Sequence, residues 1–205
     1  LQSRGLGDVY KRQALLRHSL MVSFALLLLS ACGGSSLSMA DYGDRLEEIR
    51  LTYEPHAEAA WLDYLALNDP ALADLKALSD REVAVRTDIM SALRELDAPS
   101  EVDDLHELLF DWTAQMRDAG SALGESADRS TTWEDLLASP EYRGFEEALT
   151  GGTELCNEFQ AYLDATAARG AFADTPWMPG DLTDVADAVI GCETIPEDLE
   201  AILRP

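Results

Sequence analysis

The sequence predicts an all-α protein, a helical bundle of mostly antiparallel helices whose second half is broken into shorter pieces. Three observations carry this. Beyond residue 41, apolar residues recur at steps of three and four, the spacing of one helix face, and no stretch alternates as a half-buried strand does. The segments are divided by short groups of Pro, Gly, Asn and Asp, which join antiparallel neighbours. Several stripes are preceded by Ser or Thr standing ahead of an acidic residue or of Pro, the residues that start helices.

Taken in order, Tyr42, Leu46, Ile49 and Tyr53 form the first stripe, and Pro55 is expected to kink that helix or restart it from its own first turn. Ala60, Trp61, Tyr64 and Leu67 continue the face up to the break at Asn68-Asp69-Pro70. Leu72, Leu75 and Leu78 then read as a short segment, and Val85, Ile89, Leu93 and Leu96 as the next helix. Past Ala98-Pro99-Ser100 comes the clearest stripe, Val102, Leu105, Leu109, Trp112, Met116, Ala119 and Leu123. Ser100 with Asp103 resembles a capping box for it, and the polar run from Gly124 is its expected end. Thr131 with Glu134, and Ser139 before Pro140, start two short helices carrying Trp133, Leu136, Tyr142 and Phe145. Gly151-Gly152 is expected to separate these from a longer helix with Leu155, Cys156, Phe159 and Leu163. The Pro- and Gly-containing stretch from Phe172 to Asp181 reads as a loop, and Leu182, Val185, Val189 and Cys192 restore helical spacing.

The N-terminal region has a different character. From Ser19 to Ala31 the chain carries no charge and holds five leucines, Leu20 and Leu26 to Leu29, with Arg17 just ahead. The run is shorter than the ~20 apolar residues that span a bilayer, and it suits the apolar core of an export signal. Its end, Leu29-Ser30-Ala31-Cys32, resembles the lipobox of bacterial lipoproteins. The resemblance implies that Cys32 is the first residue of the mature chain, carries a diacylglycerol, and is followed by a flexible tether through residue 40 that opens with Gly33, Gly34, Ser35 and Ser36. The expected location is the bacterial cell envelope, lipid-anchored and facing the periplasm or the exterior. Upstream, Ser3 to Gln13 resembles the in-frame translation of a transposase-type sequencing adapter. On that reading residues 1–13 are an artefact, 14–31 are a truncated lipoprotein signal, and 41–205 form a single helical domain that resembles small helical bacterial lipoproteins only in general.

Charge narrows the partners. The whole chain has a formal net charge of −24. Removing residues 1–31 takes away four basic residues (Arg4, Lys11, Arg12, Arg17) and one acid (Asp8), which leaves 11 Lys+Arg against 38 Asp+Glu, a net −27. Such a surface repels phosphates and lacks the basic patch that counterion release requires, so nucleic acid is excluded as a partner. Two cysteines remain beyond Cys32, and an even pair in an exported chain predicts a disulfide between Cys156 and Cys192.

Chemical motifs are sparse. There is no nucleophile elbow, phosphate loop or zinc-protease motif, and no cofactor is implied. His56 and His106 are the histidines of the mature region, and Asp103-x-x-His106 places a carboxylate and an imidazole on one helix face, which faintly resembles half of a di-iron bundle motif. His56, Asp103 and His106 are therefore the ligands of an alternative reading, a metal-handling or enzymatic bundle that uses His106 and neighbouring carboxylates. The primary expectation is a membrane-tethered extracytoplasmic binding or interaction module, with an unidentified protein or small molecule as partner near the membrane. Trp177 and Met178, between Pro176 and Pro179, are its candidate contact residues. They either anchor a partner or fold back to cap the bundle core.

Overall fold

The computed structural model describes residues 36–190, 192 and 199–204. Among them are seven helices and no strand: α1 Met39–Leu65, α2 Leu72–Arg94, α3 Asp103–Arg129, α4 Trp133–Leu137, α5 Pro140–Ala168, α6 Met178–Ile190 and α7 Leu199–Leu203. The expected artefact, the signal segment, Cys32 and the Gly-Gly-Ser opening of the tether lie outside the described residues. Ser38 caps α1, its Oγ accepting from the Asp41 N–H at 3.1 Å, so the helix begins at Met39 rather than after the tether boundary at residue 40.

Helix α3 is the centre of the bundle and packs against α2, α5 and α6. Its buried stripe holds Leu105, Leu109, Trp112, Met116 and Leu123, and fully burying a side chain of this size contributes about 1.5–3 kcal/mol. The directions of the helices follow from which residues meet. Gly124 faces Ser79, Gly120 faces Val83, and the Arg94 guanidinium lies over the Phe110 ring, so α2 and α3 are antiparallel. Arg129 pairs with Glu141 at one end of α3 and Thr166 meets the Glu101 carbonyl near the other, so α5 is antiparallel to α3 as well. Arg81 of α2 reaches Asp63 and the Ala60 carbonyl of α1, while the Leu37 N–H donates to the Asp97 carbonyl at the far end. Helix α6 lies against α1, beginning where Met178 fills the space beside Gly43.

Several boundaries differ from those the sequence predicts. Helix α1 runs through Pro55, which sits on an exposed face where water can take up the carbonyl its ring leaves unbonded. Burial of Ile49 before it, and of Ala60 and Tyr64 after it, keeps both halves on one core. The two segments expected between Leu72 and Leu96 are the single helix α2. Ser100 and Asp103 form no capping box. The Val102 N–H donates to the Pro99 carbonyl, which leaves Ser100 inside a turn where its hydroxyl donates to Glu101, and Val102 occupies the cap position because its side chain is buried. Gly124 does not end α3, since it is buried against Ser79, and the helix continues to Arg129. Gly151-Gly152 does not divide α5, whose buried face runs through Ala148, Gly152 and Phe159 without a break. The first of the two short starts is one residue later than predicted, with Thr132 and Asp135 capping reciprocally at 3.1 Å. Ser139 caps α5 as expected, with Pro140 in its first turn.

Candidate ligand-binding cavity

Between α1, α2, α3, α5, α6 and α7 lies a cavity of about 510 Å³ that opens to the surface. This falls within the ~300–1,000 Å³ typical of small-molecule sites. Helix α2 builds one wall, because Leu75, Leu78, Glu82 and Arg86 recur at steps of three and four and so share a face. Met116 and Leu123 of α3, with Phe145 and Leu149 of α5, make the apolar floor. Glu54, Glu58 and Trp61 come from α1, and the last turn of α6, Asp187 to Ile190, faces them. Ala57, Gly120 and Ala188 are small at lining positions and leave volume that larger side chains would fill.

Of the charged residues that line the cavity, Glu54, Glu58, Asp187, Glu82 and Arg86, the last two form a pair sunk in its wall. Arg86 Nε lies 3.5 Å from Glu82 Oε2, with only 20% and 13% of the respective side chains exposed. The contact is long for a charge-assisted hydrogen bond, which is normally ~2.7–2.9 Å. Arg86 also reaches the Val189 carbonyl through Nη1 at 3.5 Å, while Glu82 Oε1 is buried with no hydrogen-bond partner among the described residues. Burial pushes the Glu82 carboxyl above the usual carboxylate range, against the opposing influence of Arg86, the Trp61 indole and Arg81. The same burial lowers the Arg86 guanidinium, and Glu82 only partly restores it. Both charges are thus held out of water by a site that does not fully pair them. An unpaired buried acceptor is costly.

The residues singled out in the sequence lie elsewhere. Cys156 in α5 and Cys192, just past the end of α6, are joined by a disulfide with Cα atoms 5.9 Å apart. Cys192 is therefore not on the helical stripe its spacing predicts. Met178 is fully buried and Trp177 is 50% exposed, so the two do not share a contact surface. The expected loop ends at Trp177, because Met178 opens α6 and its side chain fills the notch at Gly43, where it serves the core and not a partner.

His106 Nδ1 is hydrogen-bonded to the Tyr42 hydroxyl at 3.1 Å, and the two rings meet edge to face. Burial lowers the imidazole below its ordinary range, while Asp103 and Glu107 act to raise it. His56 is exposed on α1. It stands 14 residues beyond Tyr42, His106's partner on that helix, which at 1.5 Å per residue is about 20 Å along the axis. His56 therefore does not join Asp103 and His106. Among the described residues, no group of three or more His, Cys, Asp or Glu is placed to hold a metal ion.

Sequence reasoning passed over Glu82 and Arg86, although they leave a signal. Glu82 falls in the gap between Leu78 and Val85 that separates the two predicted segments, Arg86 follows one turn later, and the pair is the charged interruption of what is otherwise one buried face of α2. Fold and cavity together define an all-α bundle with a partly paired ionic couple at the wall of an apolar pocket. No protein-family model matches the chain, and no curated protein or solved structure matches it either.

Proposed function

We propose that the protein is a membrane-tethered binding module on the outer side of a bacterial membrane, and that it takes a small, largely apolar molecule into the cavity between its helices. The observation that carries this reading is the 510 Å³ apolar cavity with Glu82 and Arg86 in its wall. A bundle selected for stability alone fills such a volume, because empty apolar space costs stability. The lipobox-like sequence ending at Cys32 supplies the tether, and Trp177 is the exposed aromatic residue available to a protein partner.

Two measurements test the two halves of the proposal. Cys32→Ser should move the protein from the membrane to the soluble fraction and abolish incorporation of a fatty-acid probe; retention on the membrane refutes the anchor. The soluble Cys32→Ser protein should bind the neutral apolar dye Nile red saturably. Ala57→Trp, which fills the cavity from α1, should abolish that binding while the protein stays folded. Binding that survives the filling places the dye elsewhere and refutes the cavity as the site.

A further inference from the structure

We propose that the cavity's ligand is a lipophilic amine, bound with its apolar body against α3 and α5 and its protonated nitrogen at the carboxylate of Glu82. The inference rests on the cavity reading above and names the chemistry of the occupant.

The first argument is hydrogen bonding. An ionised carboxylate offers about four acceptor positions. At Glu82, Oε1 has no partner among the described residues, and Oε2 has the Arg86 contact at 3.5 Å. What is missing is a donor. Arg86 is incompletely paired as well, with its contacts to the Glu82 carboxylate and the Val189 carbonyl both at 3.5 Å, so the sign of the ligand is decided by the surrounding charge. An ammonium group brings up to three donors together with the charge that a buried carboxylate lacks. Burial holds the Glu82 carboxyl up, and a cation beside it pulls in the opposite direction.

The second argument is the sign of the field. Among the described residues, Glu58, Glu82, Asp187 and Glu54, the last of them paired with Arg50 at 2.7 Å, line the cavity against one lining cation, Arg86. The last turn of α6 lines it too, and a helix C-terminus carries roughly half a negative charge. A carboxylate ligand drawn to Arg86 would meet all of these, on a chain whose formal charge is −24. Trp61 also lines the site beside Glu82, and the face of an indole attracts an ammonium. The apolar body is accounted for by Leu78, Met116, Leu123, Phe145 and Leu149.

The test compares three probes of one chain length, n-octylamine, octan-1-ol and octanoate, as displacers of Nile red from the soluble Cys32→Ser protein near neutral pH. The amine should displace the dye at a concentration about tenfold or more below that of either other probe, the scale of a charge-assisted hydrogen bond. Glu82→Gln should erase this preference, each probe's displacement being read against the variant's own dye affinity. Because that change leaves Arg86 without its partner, the double variant E82Q/R86M is measured beside it, removes both charges, and should show the same loss. Equal displacement by all three probes overturns the amine inference and leaves the cavity reading standing, as does a preference for octanoate. An amine preference that survives in both folded variants overturns the role of Glu82. Failure of the wild-type cavity to take up Nile red or any of the probes overturns this inference and the binding function together.

Discussion

Replacing Gly124 with Ala places a methyl group where α2 leaves no room. A Cβ built at this position lies 2.9 Å from the Ser79 Cβ. Carbon atoms pack best at about 3.5–4.0 Å, so the two helices must part by roughly 0.6–1 Å or the contact must be strained. Ser79 cannot rotate its own Cβ away, and overpacking of this kind costs about 1–3 kcal/mol. Removing a glycine from a helix interior returns about 1 kcal/mol, which leaves a net loss of about 0–2 kcal/mol. Gly120 is the internal control, one turn earlier on the same buried face. Its Cβ would meet Val83 Cγ2 at 3.8 Å, an ordinary contact, so Gly120→Ala should gain most of the helix term. The two variants should therefore differ by about 2 kcal/mol, or roughly 4–8 °C in Tm for a domain of this size. Thermal and urea unfolding of both proteins, with the disulfide intact, measure the difference. Ser79→Gly should recover part of the loss in a Gly124→Ala background, and the double-mutant cycle reads that coupling directly. If Gly124→Ala is as stable as Gly120→Ala, the close approach of α2 and α3 is not where the structure puts it.

Reduction of the Cys156–Cys192 disulfide releases two positions 36 residues apart, which in the chain-entropy model removes about 4 kcal/mol; a Tm unchanged by reductant in the wild-type protein would contradict the bond. Met178→Ala should cost about 2–5 kcal/mol, as truncation of a buried side chain does, whereas Trp177→Ala should stay within about 0.5 kcal/mol of wild type. Equal effects of the two would mean that Trp177 caps the core after all. Because burial depresses the His106 imidazole, the unfolded chain binds a proton that the folded chain does not. Its contribution is complete above the unfolded value of about 6.5 and is lost as pH falls from there toward the folded value. The urea midpoint of the wild type should accordingly drop relative to His106→Gln between about pH 7.5 and pH 5.5, and a relative rise would reverse the assigned direction.

Much of the fold was legible because helix periodicity is a local property. The α3 stripe from Leu105 to Leu123 and the Ser139-Pro140 start of α5 needed only nearest neighbours along the chain to be recognised. The errors share one cause. Pro55, Gly124 and Gly151-Gly152 are breakers by intrinsic propensity, yet each sits inside a helix whose buried residues on both sides are fixed by packing. Gly124 goes further, because the missing side chain is what allows α2 to approach. The candidate site was hidden by the same logic. Glu82 interrupts the apolar pattern of α2 between Leu78 and Val85, where local spacing predicts the end of one helix and the start of another, and Arg86 lies one turn further on within the second.

The sequence by itself determined the all-α class, the acid excess of the chain, and the pairing of Cys156 with Cys192, since two cysteines beyond Cys32 admit one partner each. These depend on spacing, charge and count, which need no third dimension. The tertiary structure alone decided that Met178 belongs to the core while Trp177 does not, that His106 answers to Tyr42 and not to His56, and that Glu82 and Arg86 face an apolar cavity. Each of those outcomes depends on which helices lie side by side, and burial, hydrogen bonding and charge pairing are made between residues that the chain keeps far apart.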